Sequence, residues 1–181
     1  DVYKRQDVVA AGKGSGGTTG KIKWYVNDGS PDNDDWAAVN IDGNIDDAMC
    51  VRIVDMDLDG DLDVLGSAAG SSDLIAWWEN DGNAEPSWQV HYLPHNLDTG
   101  SNLGASHVHA ADMDGDGDMD ILASFHNIDA VVWFENDGSA DPTFTVVEIA
   151  THQGEPSPIF AADMDGCLLY TSDAADEFMG V

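Results

Sequence analysis

The chain has 181 residues, a length that fits one domain or part of a larger one. Its 35 acidic residues against 6 basic ones give a formal net charge of −29, which excludes nucleic acid as a partner because nucleic-acid binding requires a basic face. Hydrophobic residues make up 43% of the chain, enough for a folded core, and no apolar run reaches the ~18 residues of a membrane span, so no membrane insertion is expected.

The two ends of the sequence are related through their coding strands. Asp1–Gln6 reads DVYKRQ, and the strand opposite one codon choice for it encodes CLLYTS, the sequence of Cys167–Ser172. Both ends also resemble a transposase sequencing adaptor. We therefore interpret residues 1–6 and 167–181 as translated adaptor and exclude them from the fold. We expect residues 7–166 to be a fragment of a longer protein.

Two short words recur between residues 7 and 166. The acidic word, DMDLDGDLD or DMDGDGDMD, begins at Asp55 and Asp112, and a shortened copy begins at Asp163. The aromatic word, WYVNDG, WWENDG or WFENDG, begins at Trp24, Trp77 and Trp133. This alternation indicates about three copies of a unit of roughly 50 residues.

Each unit predicts four short strands. In the last complete unit the alternating or β-branched segments are 106–111, 120–125, 130–135 and 144–149. The Asn-Asp-Gly sequence predicts a hairpin turn between the third and fourth strands, because these residues tolerate positive φ. Four strands per repeat predict an all-β fold, a β-propeller fragment of about three blades with acidic loops between first and second strands. The expected blades are 7–47 (partial), 48–104, 105–155 and 156–166 (the start of a fourth).

The aromatic words have two interpretations. Successive side chains of a strand alternate between faces, so Trp77 and Trp78 are expected on opposite sides of their sheet. Trp24 with Tyr25, and Trp133 with Phe134, repeat that pair. The first interpretation is packing between blades, where both faces are covered. The second is a platform on which sugars stack, which needs an exposed ring.

The acidic words have the composition of a cation site. Acids occupy positions 1, 3, 5, 7 and 9, and glycine at position 6 permits a sharp turn. Ca²⁺ takes six to eight oxygen ligands in flexible geometry, Mg²⁺ rarely occupies an all-protein cage, and Zn²⁺ favours His or Cys. The predicted side-chain ligands are Asp55, Asp57, Asp59 and Asp63 in one loop and Asp112, Asp114, Asp116 and Asp120 in the other, with Asp61 and Asp118 binding through their carbonyls. Partial copies place Asp7, Asp163 and Asp165 in the same role.

The acidic words have two alternative interpretations. An EF-hand shares the first nine positions, but it also needs a glutamate at position 12, where Gly66 and Ala123 stand, and its flanks are helical. A solvated acidic loop without metal is the other alternative. Five carboxylates within nine residues repel one another strongly, and two full copies favour a loop that is ordered by a cation.

Three further residues are candidate channel-lining groups. Arg52, His107 and His109 lie on the predicted first strands, which run nearest the axis of a propeller. Arg52 and His109 occupy equivalent repeat positions, as does Phe160. Ordinary packing or exposure to solvent is the alternative. The sequence contains no GxSxG, HExxH or CxxC motif, so no catalytic residues are assigned. Cys50 lies in an apolar segment and is expected to be a buried thiol.

The acidic loops, each followed by an apolar strand and an aromatic-x-NDG hairpin, resemble FG-GAP/VCBS-type repeats, which are related to the blades of integrin α-subunit propellers. The resemblance implies a secreted or cell-surface β-propeller that uses the calcium ligands named above. Ser67–Gly70 reads SAAG where the literal FG-GAP word would lie, which favours the broader VCBS-type group. The implied function is adhesion or binding of a carbohydrate or protein ligand. A propeller-based polysaccharide lyase or sugar-modifying enzyme, and a structural spacer, are the alternatives.

Overall fold

A computed structural model describes residues 6–14, 19–29, 36–70, 73–94, 97, 103–151 and 154–164. The described residues form an all-β structure of antiparallel sheets. The first sheet contains β1 (Val8–Gly12), β2 (Gly20–Val26) and β3 (Ala37–Ile45). The second contains β4 (Ala48–Val54), β5 (Asp63–Ala68), β6 (Leu74–Asn80) and β7 (Trp88–Tyr92). The third contains β8 (Ala105–Ala111), β9 (Asp120–Phe125), β10 (Ala130–Asn136) and β11 (Phe144–Ala150).

Each sheet is a meander in which strands that follow one another in sequence also pair. The four strands predicted for the last complete unit lie within one residue of β8 to β11. The sequence-based prediction of an all-β fold built from propeller-like sheets is confirmed, and the three sheets form an open arrangement in the described part of the chain. The adaptor segments lie outside the described residues, apart from Gln6.

The sheets pack face to face. β4 lies next to β1 on one side and next to β8 on the other, and β8 also contacts β5. One apolar core, which includes Leu65, Ile75 and Val108, fills the space between the second and third sheets. A second core, which includes Ile22 and Val64, lies between the first and second sheets. The second sheet is therefore covered on both faces, as a blade between two neighbours is.

The two tryptophans of β6 pack into different cores, because successive side chains of a strand lie on opposite faces of the sheet. Trp77 belongs to the core shared with the third sheet and Trp78 to the core shared with the first, and only 1% and 2% of their surfaces are exposed. On β10, whose sheet contacts a neighbouring sheet on one face, Phe134 is buried and Trp133 is half-buried. Packing between blades is thus confirmed for the tryptophans of β6. Cys50 is confirmed as a buried free thiol in the first of these cores.

Candidate metal centres

Both acidic words form the loop between the first and second strands of a sheet. Residues 55–62 connect β4 to β5, and residues 112–119 connect β8 to β9. Gly60 and Gly117, at position 6, both have φ of 100°. Position 4 also has positive φ in both loops, 60° at Leu58 and 82° at Gly115. The two loops therefore follow the same backbone path, and glycine at position 6 supplies a conformation that L-residues rarely adopt.

The first three acids of each loop converge. Carboxylate oxygens of Asp55, Asp57 and Asp59 lie within 4.8 Å of one another. The corresponding oxygens of Asp112, Asp114 and Asp116 do the same. These two groups, named here the first and second triads, are held by the turn itself, since each acid accepts hydrogen bonds from backbone N–H groups further along its loop.

The position-1 acids differ in how their two oxygens are satisfied. Asp55 Oδ2 accepts the Gly60 N–H at 3.1 Å, and its Oδ1 is buried without a hydrogen-bond partner. In the second loop, Asp112 accepts N–H groups at both oxygens, from Gly115 at 2.7 Å and Gly117 at 3.1 Å. A buried carboxylate oxygen without a partner is costly, because it has lost its water and gained nothing in exchange. The first triad thus fits a hard cation, which would provide that partner.

The electrostatics of the loops point the same way. Burial raises the pKa of Asp57, and the neighbouring carboxylates of Asp59, Glu79 and Asp55 raise it further against a backbone hydrogen bond that lowers it. In the second loop, burial and nearby carboxylates raise the pKa values of Asp114 and Asp118. A bound divalent cation would offset this repulsion.

The position-9 acids have a structural role that recurs in all three sheets. Asp120 is 1% exposed, and its two oxygens accept the N–H groups of Met113 at 2.9 Å and Asn136 at 2.8 Å. The Asn136 amide in turn donates to the carbonyl of Met119 at 3.0 Å and accepts the N–H of Gly138 at 3.0 Å. We call this arrangement the Asp–Asn latch, because it ties the acidic loop to the hairpin turn.

The second sheet contains the same latch, and the first sheet contains its aspartate–asparagine part. Asp63 accepts the N–H groups of Met56 and Asn80, both at 2.9 Å, and Asn80 donates to the carbonyl of Leu62. In the first sheet, Asp7 accepts the N–H of Asn27 at 2.7 Å and the indole N–H of Trp24 at 3.0 Å. Burial raises the pKa of Asp63 to about 6, although the two backbone hydrogen bonds lower it.

The remaining predicted ligands are placed as follows. The position-7 side chains of Asp61 and Asp118 lie against Gly82 and Gly138 of the hairpin turns, where they leave no room for a Cβ atom, and neither belongs to a triad. Their carbonyls, not their side chains, are the predicted ligand atoms. Asp163 is exposed, and Asp165 lies outside the described residues. The ligand roles of all these acids stay predictions.

Residues 55–123, which run from the first acidic loop into β9, match the family model of the FG-GAP-like repeat. This segment of the chain is thus similar to an FG-GAP-type repeat. The match contains both triads, so the loops described above lie within the matched residues. No curated protein matches the chain.

The sheets also bring the candidate channel-lining residues together. Arg52 of β4 places Nη2 2.8 Å from Nε2 of His107 on β8. The ring of Phe160 lies 5.7 Å from the His107 ring, 5.5 Å from the His109 ring and 5.8 Å from the Arg52 guanidinium carbon. Arg52, His109 and Phe160 thus occupy the same repeat position and also meet in space. We call these four residues the Arg–His cluster.

Two functional features of the FG-GAP-type loops were missed by sequence reasoning. The Asn of the aromatic word was interpreted as a turn residue only, although its recurrence with the position-9 acid could have indicated the latch. Glu79 is a second residue that the sequence did not single out. Its carboxylate lies near Asp57 and 2.7 Å from Nε2 of His91, and the His91 ring stacks on Trp77 with 4.3 Å between the ring centres.

No helix in the described ranges is long and apolar enough to cross a lipid bilayer.

Proposed function

We propose that this chain is a calcium-binding, β-propeller-type module of an extracellular protein, and that it binds a carbohydrate or protein ligand. The observation that carries the calcium part is the buried, partnerless Oδ1 of Asp55 within the first triad. The second triad repeats the same three acids on the same backbone path, which supports a designed site rather than a chance acidic surface.

Calcium is the cation that the donor set favours. All the converging groups are carboxylates, the ligands that hard cations prefer, and no histidine or cysteine lies in either loop. Asp55, Asp57 and Asp59 would hold the first ion, with Asp63 and the carbonyl of Asp61 as further ligands. The second loop would use Asp112, Asp114, Asp116, Asp120 and the carbonyl of Asp118. The ion would neutralise the crowded carboxylates and fix each first strand relative to the second.

Two arguments support an extracellular setting: the occurrence of FG-GAP repeats in other proteins and the Ca²⁺ concentration that such sites need. FG-GAP repeats are typical of extracellular proteins, and extracellular modules bind Ca²⁺ with dissociation constants of about 10⁻⁴–10⁻³ M. Weak sites of this kind are filled only where calcium is abundant. In that setting the ion acts as a permanent structural component, and the exposed surfaces of the sheets are free to bind ligand.

Calorimetric titration with CaCl₂ tests the calcium proposal. We expect heat of binding from the unaltered chain and a rise in its melting temperature, since binding to the folded state alone stabilises it by about 1–3 kcal/mol as the ion concentration rises above the dissociation constant. The double variant Asp57→Asn/Asp114→Asn should lose both effects. Asp141→Asn, an exposed acid outside the loops, is the matched control. No heat from the unaltered chain, with a melting temperature that chelator leaves unchanged, would refute the proposal.

A further inference from the structure

The arginine of the Arg–His cluster has no acidic partner among the described residues, although the chain is highly acidic. The chain has 35 acidic residues and 6 basic ones, so a carboxylate partner for any arginine is easily found. Arg52 nevertheless has no carboxylate oxygen within 4.0 Å among the described residues, where the ion pairs are Lys13–Asp47 and His91–Glu79. It donates to the carbonyl of Val51 at 2.9 Å and lies against the ring of His107. Within the described part of the chain, the guanidinium thus has no acidic partner.

The hydrogen bonds around His107 leave one donor of the cluster without an acceptor. The N–H of Ile159 lies 3.3 Å from Nδ1 of His107, and Arg52 Nη2 lies 2.8 Å from Nε2. A neutral imidazole has only one acceptor nitrogen, and a guanidinium nitrogen can only donate, so the ring cannot accept from both groups. An oxygen anion beside the guanidinium and the ring would provide the missing acceptor.

The neighbouring residues limit what the anion can be. His109 Nδ1 is buried without a partner, and burial followed by the charge of Arg52 lowers the pKa values of both histidines, so Arg52 carries the charge of the cluster at neutral pH. One positive charge suits a singly charged group such as a carboxylate. The Phe160 ring beside it is 65% exposed, which leaves an aromatic face free to contact the C–H groups of a sugar.

We propose that the Arg–His cluster binds the carboxylate of an acidic monosaccharide, with Arg52 and His107 donating to the carboxylate and Phe160 packing against the sugar ring. This assignment rests on the ligand-binding part of the proposed function and names its ligand class. It places the ligand on the first strands, β4 and β8, of two adjacent sheets.

The test is titration of the full chain with galacturonate, galactose and acetate, each in saturating Ca²⁺. Galacturonate should bind, and galactose should bind at least tenfold more weakly because it lacks the charge. Arg52→Gln keeps donor groups but removes the charge, and should weaken galacturonate binding about tenfold to a hundredfold, as expected for a hydrogen bond between charged groups. Phe160→Leu changes an exposed side chain and should weaken it several-fold. Lys21→Gln removes an equal charge from an exposed site in the first sheet and should have no effect.

The outcomes separate this inference from the calcium proposal, because the CaCl₂ titration is run on the same samples. Intact calcium binding with no galacturonate binding, or galacturonate binding that Arg52→Gln leaves unchanged, would overturn the sugar-acid site alone. Acetate binding as tightly as galacturonate would overturn the sugar assignment. Loss of galacturonate affinity in Arg52→Gln, with its calcium heat retained, would support the inference.

Discussion

Replacing Asp120 with alanine is the sharpest test of how the acidic loop is joined to its sheet. The carboxylate is 1% exposed and accepts backbone N–H groups from Met113 at 2.9 Å and from Asn136 at 2.8 Å. Asp120→Ala removes both acceptors at once. The N–H of Asn136 is then left without its acceptor in a buried position, and the N–H of Met113 in a partly buried one.

The expected cost follows from those two donors. A buried backbone donor that loses its partner costs about 1–3 kcal/mol, so Asp120→Ala should lower the free energy of unfolding by about 2–4 kcal/mol. For a chain of this size each kcal/mol corresponds to about 2–4 °C, which gives a fall in melting temperature of about 5–15 °C. The loss should appear in chelator as well as in calcium, because the latch consists of hydrogen bonds within the chain.

Urea denaturation in chelator and in Ca²⁺ measures both effects. Asp118→Ala is the matched control, since it removes a charge from the same loop and no backbone N–H of the described residues donates to that carboxylate. Burial and the neighbouring carboxylates raise the pKa of Asp118, so its removal should be neutral or stabilising in chelator. Asp118→Ala should also keep the calcium-induced shift, because the predicted ligand there is a carbonyl. An Asp120→Ala chain that is as stable in chelator as the unaltered chain would refute the latch.

Further predictions concern the loop backbone and the histidines. Gly117→Ala should lower the free energy of unfolding by about 1–2 kcal/mol, measured in urea, because φ of 100° strains an L-residue while no neighbouring atom lies within 4 Å of the added Cβ; an unchanged urea midpoint would contradict this. Burial, followed by the charge of Arg52, lowers the pKa values of His107 and His109 below 6.5, so unfolding should take up protons. The free energy of unfolding should therefore be highest above pH 6.5 and should decrease as the pH falls below that value. The double variant His107→Gln/His109→Gln should lose this part of the pH dependence of the urea midpoint, and an equal slope in both chains would refute the assignment.

The repeat pattern predicted much of the local structure. The strands of the third sheet were placed within one residue, because β-branched alternation and the Asn-Asp-Gly turn are local signals that do not depend on distant contacts. The positive φ of Gly60 and Gly117 followed from the loop word in the same way. The convergence of three acids in each loop is also local, since all three lie within five residues of one another.

Other features required contacts between distant residues. Trp77 and Trp78 are both buried because a sheet lies on either side of β6. The six-residue aromatic word alone does not show whether both rings are buried or one of them is exposed. The latch joins residues 16 to 20 positions apart, and it showed that Asp63 and Asp120 hold the hairpin whether or not they bind metal. The partnerless oxygen of Asp55 is also visible only once the loop is packed.

By itself, the sequence determined the strands, the turns and the loops that gather carboxylates, because each depends on residues within a few positions of one another. Only the tertiary structure decided which aromatic faces are covered, which aspartates are latches, and that Arg52 meets His107 without an acid between them. The physical reason is that burial and pairing are properties of the space between sheets. That space is set by how the sheets stack, and the spacing of residues along the chain does not specify it.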